Sequence, residues 1–336
     1  MAVAGGDGLE KLEDMIVRAA ESTAAHVLAA KAAIGTVIFG QDKVVEQALV
    51  TILSGGHALL LGVPGLAKTK LVDTMGIVLG LDARRIQFTP DLMPSDILGT
   101  EVLEESASGK RNFRFISGPV FAQLLMADEI NRASPRTQSA LLQAMQEQHV
   151  TVAGVRHDLP KPFHVLATQN PLEQEGTYPL PEAQLDRFLM QIDVGYPDRE
   201  AERKILFETT GADETRAKPA MSAEDLMAAQ RLVRRLPVGE SVVAAILALV
   251  RSARPGPEGG EATKLIAWGP SPRASQALML AVRASALLDG RLAPSIDDVI
   301  DLAEPVLKHR MALTFTARAE GESLEGVIGR LKARIG

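Results

Sequence analysis

Short apolar runs alternate with segments of helical periodicity along the first 195 residues of the chain. Runs of about four to eight apolar residues bounded by turn residues predict strands buried on both faces of a sheet. Five such runs occur, at residues 57–61, 85–88, 124–127, 164–168 and 189–194. A helix is predicted after the first run, at residues 68–79. This order predicts an α/β fold built on a five-stranded parallel sheet.

Other segments lie outside this alternation. Apolar residues recur at helical spacing over residues 9–33 and predict an amphipathic N-terminal helix. A second helix is predicted from Asp42, as its N-cap, to Leu53. Residues 102–115 and 150–159 each place two short strands about a turn of small residues, which predicts a β-hairpin. Because neither hairpin fits the alternation, we interpret both as insertions into the core.

Strand patterns stop after residue 198, and residues rich in Ala, Leu and Val then recur at helical spacing. The predicted helices lie at 199–209, 222–235, 240–253, 272–289 and 295–310. The second part of the chain is therefore predicted to be all-helical. The expected organisation is an N-terminal helix at 1–36, an α/β core at 37–197 with hairpins at about 102–115 and 148–160, and a helical domain at 198–336.

The composition agrees with two globular domains and excludes several kinds of functional site. The 336 residues exceed the typical single domain of about 100 to 200 residues. The net charge is −6, from 36 Lys and Arg against 42 Asp and Glu, which excludes a basic field over the whole surface but not a local basic patch. The chain has no cysteine, which excludes disulfides, thiolate metal sites and cysteine nucleophiles and suits a reducing cytoplasm.

No segment predicts membrane insertion or export. The longest uninterrupted apolar run, residues 242–250, is about half as long as the roughly 20 residues that a membrane-spanning helix needs. The first residues, MAVAGGDG, contain neither the basic region nor the apolar stretch of a signal peptide. We therefore expect a cytoplasmic protein.

A glycine-rich turn with the features of a phosphate-binding loop follows the first predicted strand. Residues 62–69 are GVPGLAKT, and in such a loop backbone N–H groups and a helix N-terminus face the phosphates of a nucleotide. There Lys68 would reach the β- and γ-phosphates, and the Thr69 hydroxyl could ligate Mg²⁺. Ala67 replaces the usual glycine, and because alanine resists a positive φ the loop is expected to be less tolerant. A chance lysine in a Gly/Pro-rich turn stays the alternative on these residues alone.

Two more predicted strands end in polar residues. Residues 124–129, LLMADE, are typical of a Walker B segment, in which Asp128 holds Mg²⁺ and Glu129 polarises the attacking water. The strand at 164–168 is followed closely by Asn170, which could orient the same water. A solvated strand end and a turn residue before proline are the alternative interpretations. A phosphate-binding loop about 60 residues earlier favours nucleotide chemistry.

These motifs, in this order, resemble those of MoxR-type AAA+ ATPases over nearly the whole chain. GVPGLAKT is similar to the family's Walker A, LLMADEINR to its Walker B, ATQNP to sensor 1, LPEAQLDRF to the arginine-finger box and GPSPRA to sensor 2. Gly40-Gln41 resembles the adenine-pocket box. Family members commonly carry alanine at the position of Ala67, so this departure from the general pattern supports the resemblance.

The resemblance implies ATP and Mg²⁺ as cofactors. It implies that Glu129 and Asn170 act on the attacking water and that Thr69 and Asp128 hold the metal. The residues implied to bind the nucleotide are Gly40, Gln41, Gly62, Val63, Pro64, Gly65, Leu66, Ala67, Lys68, Thr69 and Lys70.

Two arginines receive roles from the resemblance. Arg187 is implied to be the arginine finger that reaches the γ-phosphate held by a neighbouring subunit, a role that suits the planar, permanently charged guanidinium. A surface ion pair with Asp186 is the alternative for this residue. Arg273 is implied to be the sensor 2 arginine of a helical lid, and the sequence leaves open whether it serves its own site or the neighbour's.

The resemblance also implies a function: a ring, expected to be a hexamer, that hydrolyses ATP to ADP and phosphate and remodels or activates a partner protein in a chaperone-like manner. In this family the partner is often a von Willebrand factor A domain protein. The two hairpins match the helix-2 insert and the pre-sensor-1 insert of the clade that includes MCM helicases and magnesium chelatase. Both are expected to line the central pore or its rim.

Two alternative functions stay open. Residues 110–114, KRNFR, combine cations with an aromatic side chain, as a nucleic-acid-binding strand would. An MCM-like DNA-translocating motor is therefore the first alternative, although the negative net charge argues against nucleic acid as a partner. The second is a slow nucleotide-gated scaffold that binds ATP without turnover, against which Glu129, Asn170 and Arg187 argue.

Overall fold

The computed structural model describes residues 6–105, 111–172, 176–210, 215–256 and 264–335. Its strands are β1 (Ala58–Leu61), β2 (Ala83–Gln87), β3 (Gly99–Glu105), β4 (Arg111–Ser117), β5 (Leu124–Asp128), β6 (His149–Val152), β7 (Val155–Asp158), β8 (His164–Gln169), β9 (Met190–Asp193), β10 (Ile266–Trp268) and β11 (Ala312–Leu313). Its α-helices are α1 (Gly6–Gly35), α2 (Asp42–Leu53), α3 (Lys68–Val78), α4 (Pro94–Leu98), α5 (Pro135–Glu147), α6 (Glu182–Leu185), α7 (Arg199–Thr210), α8 (Ala223–Val233), α9 (Glu240–Ser252), α10 (Pro272–Leu288), α11 (Ile296–Leu307), α12 (Phe315–Ala319) and α13 (Leu324–Lys332).

A five-stranded parallel sheet with the order β2-β5-β8-β1-β9 forms the centre of the core. The predicted α/β fold and parallel sheet are confirmed. The central strands β5 and β8 are almost entirely buried, as strands covered by helices on both faces should be. Because β1, β5 and β8 are parallel neighbours, their carboxyl ends meet at one edge of the sheet.

Two antiparallel hairpins extend from the core, as the sequence predicts. β3 and β4 pair from Gly99↔Ser117 to Glu105↔Arg111, so this hairpin is longer than predicted, and β6 pairs with β7. The rings of Phe115 and His157 stack with centroids 3.8 Å apart and connect the two hairpins. Lys110, part of the predicted basic segment, lies outside the described residues.

The C-terminal region is helical, with one exception to the all-helical prediction. β10 and β11 pair as a two-stranded antiparallel sheet. A strand of two or three residues is too short to show a periodicity, which is why the sequence gives no sign of this element. A second correction concerns α2: its N-cap is Gln41, and Asp42 is the first helical residue.

Serine side chains cap several helices of the C-terminal helical region after residue 198, which is called the lid below. Ser222 and Ser295 each form a capping box with an aspartate three residues later, at the starts of α8 and α11. Ser271 and Ser323 cap α10 and α13. These caps satisfy backbone N–H groups that have no partner inside the helix.

The N-terminal helix α1 connects the core to the lid. It packs against α2 and α3 of the core and against α8 and α10 of the lid. Its apolar residues Ala24, Val27, Ala30 and Ile34 belong to one buried cluster that includes side chains of both parts. Within the described residues, no helix has both the length and the apolar character needed to cross a membrane.

Candidate active site

The turn between β1 and α3 has the backbone that phosphate binding requires. Gly65 (φ 86°) and Ala67 (φ 56°) both adopt the left-handed conformation, and Lys68 begins α3. Gly62 packs so closely on β9 that a Cβ atom there would lie 2.6 Å from the Val194 carbonyl oxygen. The loop therefore presents backbone N–H groups and a helix N-terminus to one cavity.

Lys68 is part-buried within this loop. Its Nζ donates hydrogen bonds to the carbonyl oxygens of Gly62 and, at 3.0 Å, of Val63. Burial lowers the pKa of Lys68, and the nearby Asp128 and Glu129 carboxylates partly oppose that shift. The ammonium group thus stands between the loop and the two acids.

The two acids lie at the carboxyl end of β5, held by β8. Thr168 donates from Oγ1 to Asp128 Oδ1 at 2.5 Å and accepts from the Glu129 backbone N–H at 2.9 Å. Glu129 has a left-handed backbone (φ 54°), a conformation that costs about 1 to 3 kcal/mol and is concentrated at functional sites. This turn directs consecutive carboxylates of one strand end into the same cavity.

Sequence reasoning missed two residues of this site, Arg85 and Gln87 on the neighbouring strand β2. Arg85 donates to Asp128 Oδ2 from Nη2 at 2.6 Å, and Gln87 donates from Nε2 to Glu129 Oε2 at 2.6 Å. Arg132, three residues after Glu129, donates to the same Glu129 oxygen at 3.1 Å. No local sequence signal marks Arg85 and Gln87, because they reach the site only through the pairing of β2 with β5.

Asn170 follows β8 and is buried beside the same cavity. Its Oδ1 accepts a hydrogen bond from the Leu172 backbone N–H at 3.1 Å, so it also forms the turn that its position before proline indicates. Asn170 therefore forms a turn and also lies near the acids, so the turn interpretation does not exclude a role in orienting the water.

Two adjoining cavities have the sizes and linings expected for a nucleotide. One, of about 470 Å³, is lined by loop residues 64–70 with Asp128, Glu129 and Asn170. The other, of about 440 Å³, is mostly apolar and shares loop residues 64–67 and Lys70. Its remaining lining comes from both sides of the loop, namely Val37, Ile38, Phe39, Gln41, Tyr196, Pro197, Glu202, Ile205, Leu206 and Thr209.

Gln41, predicted to hold the base, and Thr69 and Asp128, predicted to hold the metal, line these cavities, whereas Gly40 lines neither. Gln41 donates from Nε2 to the Gly195 carbonyl at 2.8 Å, which joins the segment before α2 to the end of β9. Gly40 packs against α7, and a Cβ atom there would lie 2.3 Å from the Cβ of Ala201. Thr69 and Asp128 line the phosphate-side cavity and offer the oxygen ligands that Mg²⁺ prefers.

The two predicted arginines do not line either cavity. Arg187 lies in the turn between α6 and β9, and Arg273 is exposed at the start of α10. Asp186, the alternative partner of Arg187, instead accepts hydrogen bonds from Arg310 Nε at 2.7 Å and from Ser271 Oγ at 3.0 Å. Through Asp186, these contacts hold the turn that contains Arg187 close to the beginning of the helix that contains Arg273.

Comparisons with known proteins agree with this geometry. The family model described as the ATPase family associated with various cellular activities (AAA) matches residues 57–190, and the AAA lid domain model matches residues 261–329. The Mycobacterium tuberculosis protein named Chaperone MoxR1 is 44% identical over 332 residues, which cover 97% of this chain and 87% of the relative. Protein MoxR of Paracoccus denitrificans is 32% identical, with 88% and 91% covered.

A solved structure has the same fold throughout. The crystal structure of a candidate ATPase from Cytophaga hutchinsonii superposes with a TM-score of 0.89 at 37% sequence identity, and the match covers 98% of this chain and 99% of the other. The core, the lid and their relative placement are thus shared along both chains.

Proposed function

Because the chain belongs to the MoxR family of AAA+ ATPases, we propose that it hydrolyses ATP in a ring of its own copies and thereby remodels or activates a partner protein. One observation supports assembly into a ring. A single subunit brings together the phosphate loop and the acids, whereas Arg187 and Arg273 lie away from both cavities. A head-to-tail contact would supply these arginines from a neighbour, and such a contact builds a ring when its rotation closes.

Within one subunit, we assign binding to the loop and water activation to the acids. The loop N–H groups and Lys68 hold the phosphates, and the apolar cavity beside Gln41 holds the base. Glu129 accepts the proton of the attacking water, which Asn170 orients. Mg²⁺, which Thr69 and Asp128 would hold, supplies neutralisation of phosphate charge when bound.

Between subunits, we assign both arginines to the neighbour's nucleotide. Arg187 makes no side-chain hydrogen bond or ion pair within the described part of the chain. Arg273 is exposed, and its helix is capped by Ser271, which is bonded to the carboxylate next to Arg187. A guanidinium fork suits the charge that develops on the transferred phosphoryl group. This placement supports action of Arg273 in trans.

For the partner we propose a protein, and specifically a von Willebrand factor A domain protein, acted on in the cytoplasm. A relative named Chaperone MoxR1 supports a protein substrate. The β3–β4 hairpin supports it too, because Leu103 and Phe113 are opposite one another and exposed, while Arg111 and Arg114 are paired with glutamates. The von Willebrand assignment rests on the family resemblance, and the compartment on the absence of cysteine.

The roles of Lys68 and Glu129 can be separated by two variants. We expect Lys68→Ala to abolish nucleotide binding, because the ammonium that contacts the phosphates is lost. We expect Glu129→Gln to preserve binding and abolish turnover, because the amide keeps the shape but cannot accept a proton. Binding of a fluorescent ATP analogue and steady-state phosphate release measure the two effects. Wild-type turnover by Glu129→Gln would contradict the assignment.

The ring is tested by mixing two inactive variants. Glu129→Gln disables the site on its own subunit, and Arg187→Ala disables the site next door. Random exchange at equal amounts should leave about a quarter of the interfaces with an intact Glu129 facing an intact Arg187. We therefore expect concentration-dependent ATPase activity above that of either parent. If exchange is demonstrated and the mixture stays inactive, Arg187 does not act in trans.

A further inference from the structure

Three consecutive basic residues of the lid are almost fully buried against the core. Lys308, His309 and Arg310 form a short 3₁₀ turn after α11, and their exposed fractions are 8%, 3% and 3%. Lysine and arginine are almost never buried so completely unless they are paired. Both long cations are paired here: Lys308 donates to the Asp193 carboxylate and Arg310 to the Asp186 carboxylate.

Arg310 binds the turn between α6 and β9. Its Nε donates to Asp186 Oδ1 at 2.7 Å, and its Nη2 donates to the Phe188 carbonyl at 2.5 Å. Its Nη1 donates to the carbonyls of Leu189 at 3.0 Å and Val306 at 2.6 Å. One guanidinium thus joins the end of α11 in the lid to three residues of the core.

These contacts flank Arg187 on both sides. Asp186 precedes it and Phe188 follows it, and the Phe188 carbonyl also contacts His309 Nε2 at 3.0 Å. The Arg187 side chain itself makes no hydrogen bond or ion pair in the described part of the chain. A side chain that is unpaired but rises from a fixed backbone is suited to reach a ligand in a defined geometry.

The same network includes the helix that carries Arg273. Ser271, the N-cap of α10, donates from Oγ to the Asp186 carboxylate at 3.0 Å. Burial lowers the pKa of Arg310, the Asp186 carboxylate opposes that shift, and the nearby Arg273 lowers it further. Arginine keeps its charge through such shifts. Asp186 is therefore bonded at once to the lid turn and to the start of α10.

We propose that Arg310 is the positioning residue of the arginine finger: through Asp186 and the carbonyls beside Arg187 it holds the finger turn against the lid, in register with the Arg273 helix. The inference rests on the proposed action of Arg187 on the neighbour's nucleotide. The lid then determines where its own subunit presents the finger. Arg310 itself touches no nucleotide, so its loss should impair turnover next door and spare binding in its own site.

The first test is Arg310→Lys, which keeps the charge but cannot form the planar set of hydrogen bonds. We expect kcat to fall by about 10- to 100-fold, the loss associated with a misplacement of about 1 Å, while the affinity for a fluorescent ATP analogue changes by less than about two-fold. Arg291→Lys is the matched control, because Arg291 is bonded to Asp298 within the lid and away from the finger turn. We expect it to retain the wild-type kcat.

Complementation separates a displaced finger from general damage. Arg310→Lys keeps an intact Glu129, so a mixture with Glu129→Gln should regain activity above both parents. A mixture with Arg187→Ala should not, because both variants impair the same side of the interface. Rescue by Arg187→Ala, or loss of nucleotide affinity in Arg310→Lys at wild-type melting temperature, would overturn the proposal.

A second variant keeps the test decisive if Arg310→Lys is destabilised. Should Arg310→Lys melt well below the wild type, Asp186→Asn carries the same test, since it weakens the bond to Arg310 without removing a buried side chain. Wild-type turnover in Arg310→Lys or Asp186→Asn, beside an inactive Arg187→Ala, refutes the positioning role alone. Wild-type turnover in Arg187→Ala refutes the proposed function of the finger and this inference with it.

Discussion

Ala67 is held in a backbone conformation that alanine disfavours. With φ 56° and ψ 21° it is left-handed, immediately before the first residue of α3. A non-glycine residue there costs about 1 to 2 kcal/mol, because its Cβ approaches the following carbonyl oxygen. The backbone strain that the sequence leads us to expect at Ala67 is therefore present in the folded protein.

We predict that Ala67→Gly raises the free energy of unfolding by about 0.5 to 1 kcal/mol, because relief of this strain exceeds the entropy that glycine adds to the unfolded chain. Urea denaturation measures the change. Ala29→Gly is the control: Ala29 is exposed within α1, and the same substitution there should lower stability by about 1 kcal/mol. Equal destabilisation by both would contradict the prediction.

Residues of the site differ in how far the sequence could predict them. Lys68, Asp128 and Glu129 lie in contiguous motifs that follow or end predicted strands, and a parallel sheet places the carboxyl ends of those strands at one edge. Arg85 and Gln87 join the site because β2 pairs with β5, and Gln87 is opposite Asp128 in that register. Strand order is a tertiary property, and single polar residues in a short strand do not reveal it.

At the scale of elements, two buried histidines lie where β1 and β8 begin. The His57 Nδ1 accepts from the Val165 backbone N–H at 2.9 Å, and the His164 Nδ1 lies 2.8 Å from the Gly56 carbonyl, to which it donates. Burial and the neighbouring His164 lower the pKa of His57 to about 3. Burial lowers the pKa of His164 to about 4. Both histidines are therefore neutral in the folded protein near neutral pH.

We predict that stability falls as the pH decreases below 6.5. In the unfolded chain each histidine takes up a proton near pH 6.5, whereas in the folded protein it does so only near pH 3 to 4. The unfolded state binds more protons in this window, so each histidine lowers the free energy of unfolding by about 1.4 kcal/mol per pH unit. Melting temperatures from pH 7.5 to 5 test this. The His164→Gln variant should show a shallower decline, and an unchanged slope would contradict the assignment.

There is a physical reason why the sequence failed to predict β10 and β11. The strands β1, β5 and β8 could be predicted because each is largely apolar and buried, whereas the edge strand β2 is mostly polar and exposed. β10 and β11 are two or three residues long and are distant in sequence, so their pairing depends on the packing of the lid. Local patterning carries no information about such contacts.

At the scale of the whole molecule, the distribution of charge argues against DNA as the substrate. Arg111 and Arg114 pair with Glu105 and Glu104 on the facing strand, so the described part of the basic hairpin is largely neutralised. We predict that single- or double-stranded DNA changes the ATPase rate by less than about two-fold at about 0.15 M salt. A large stimulation that disappears in an Arg111→Ala/Arg114→Ala variant would instead support the translocating motor.

Helix α1 packs against both the core and the lid, so the stability of each part depends on the other. Val27 and Ile34 of α1 are buried in the same cluster as Met75 of the core and Leu278 of the lid. A fragment ending near residue 197 would expose one side of this cluster, and deletion of α1 would uncover both. Apolar surface left in water opposes folding in proportion to its area. The free energy of folding is therefore shared between the core and the lid.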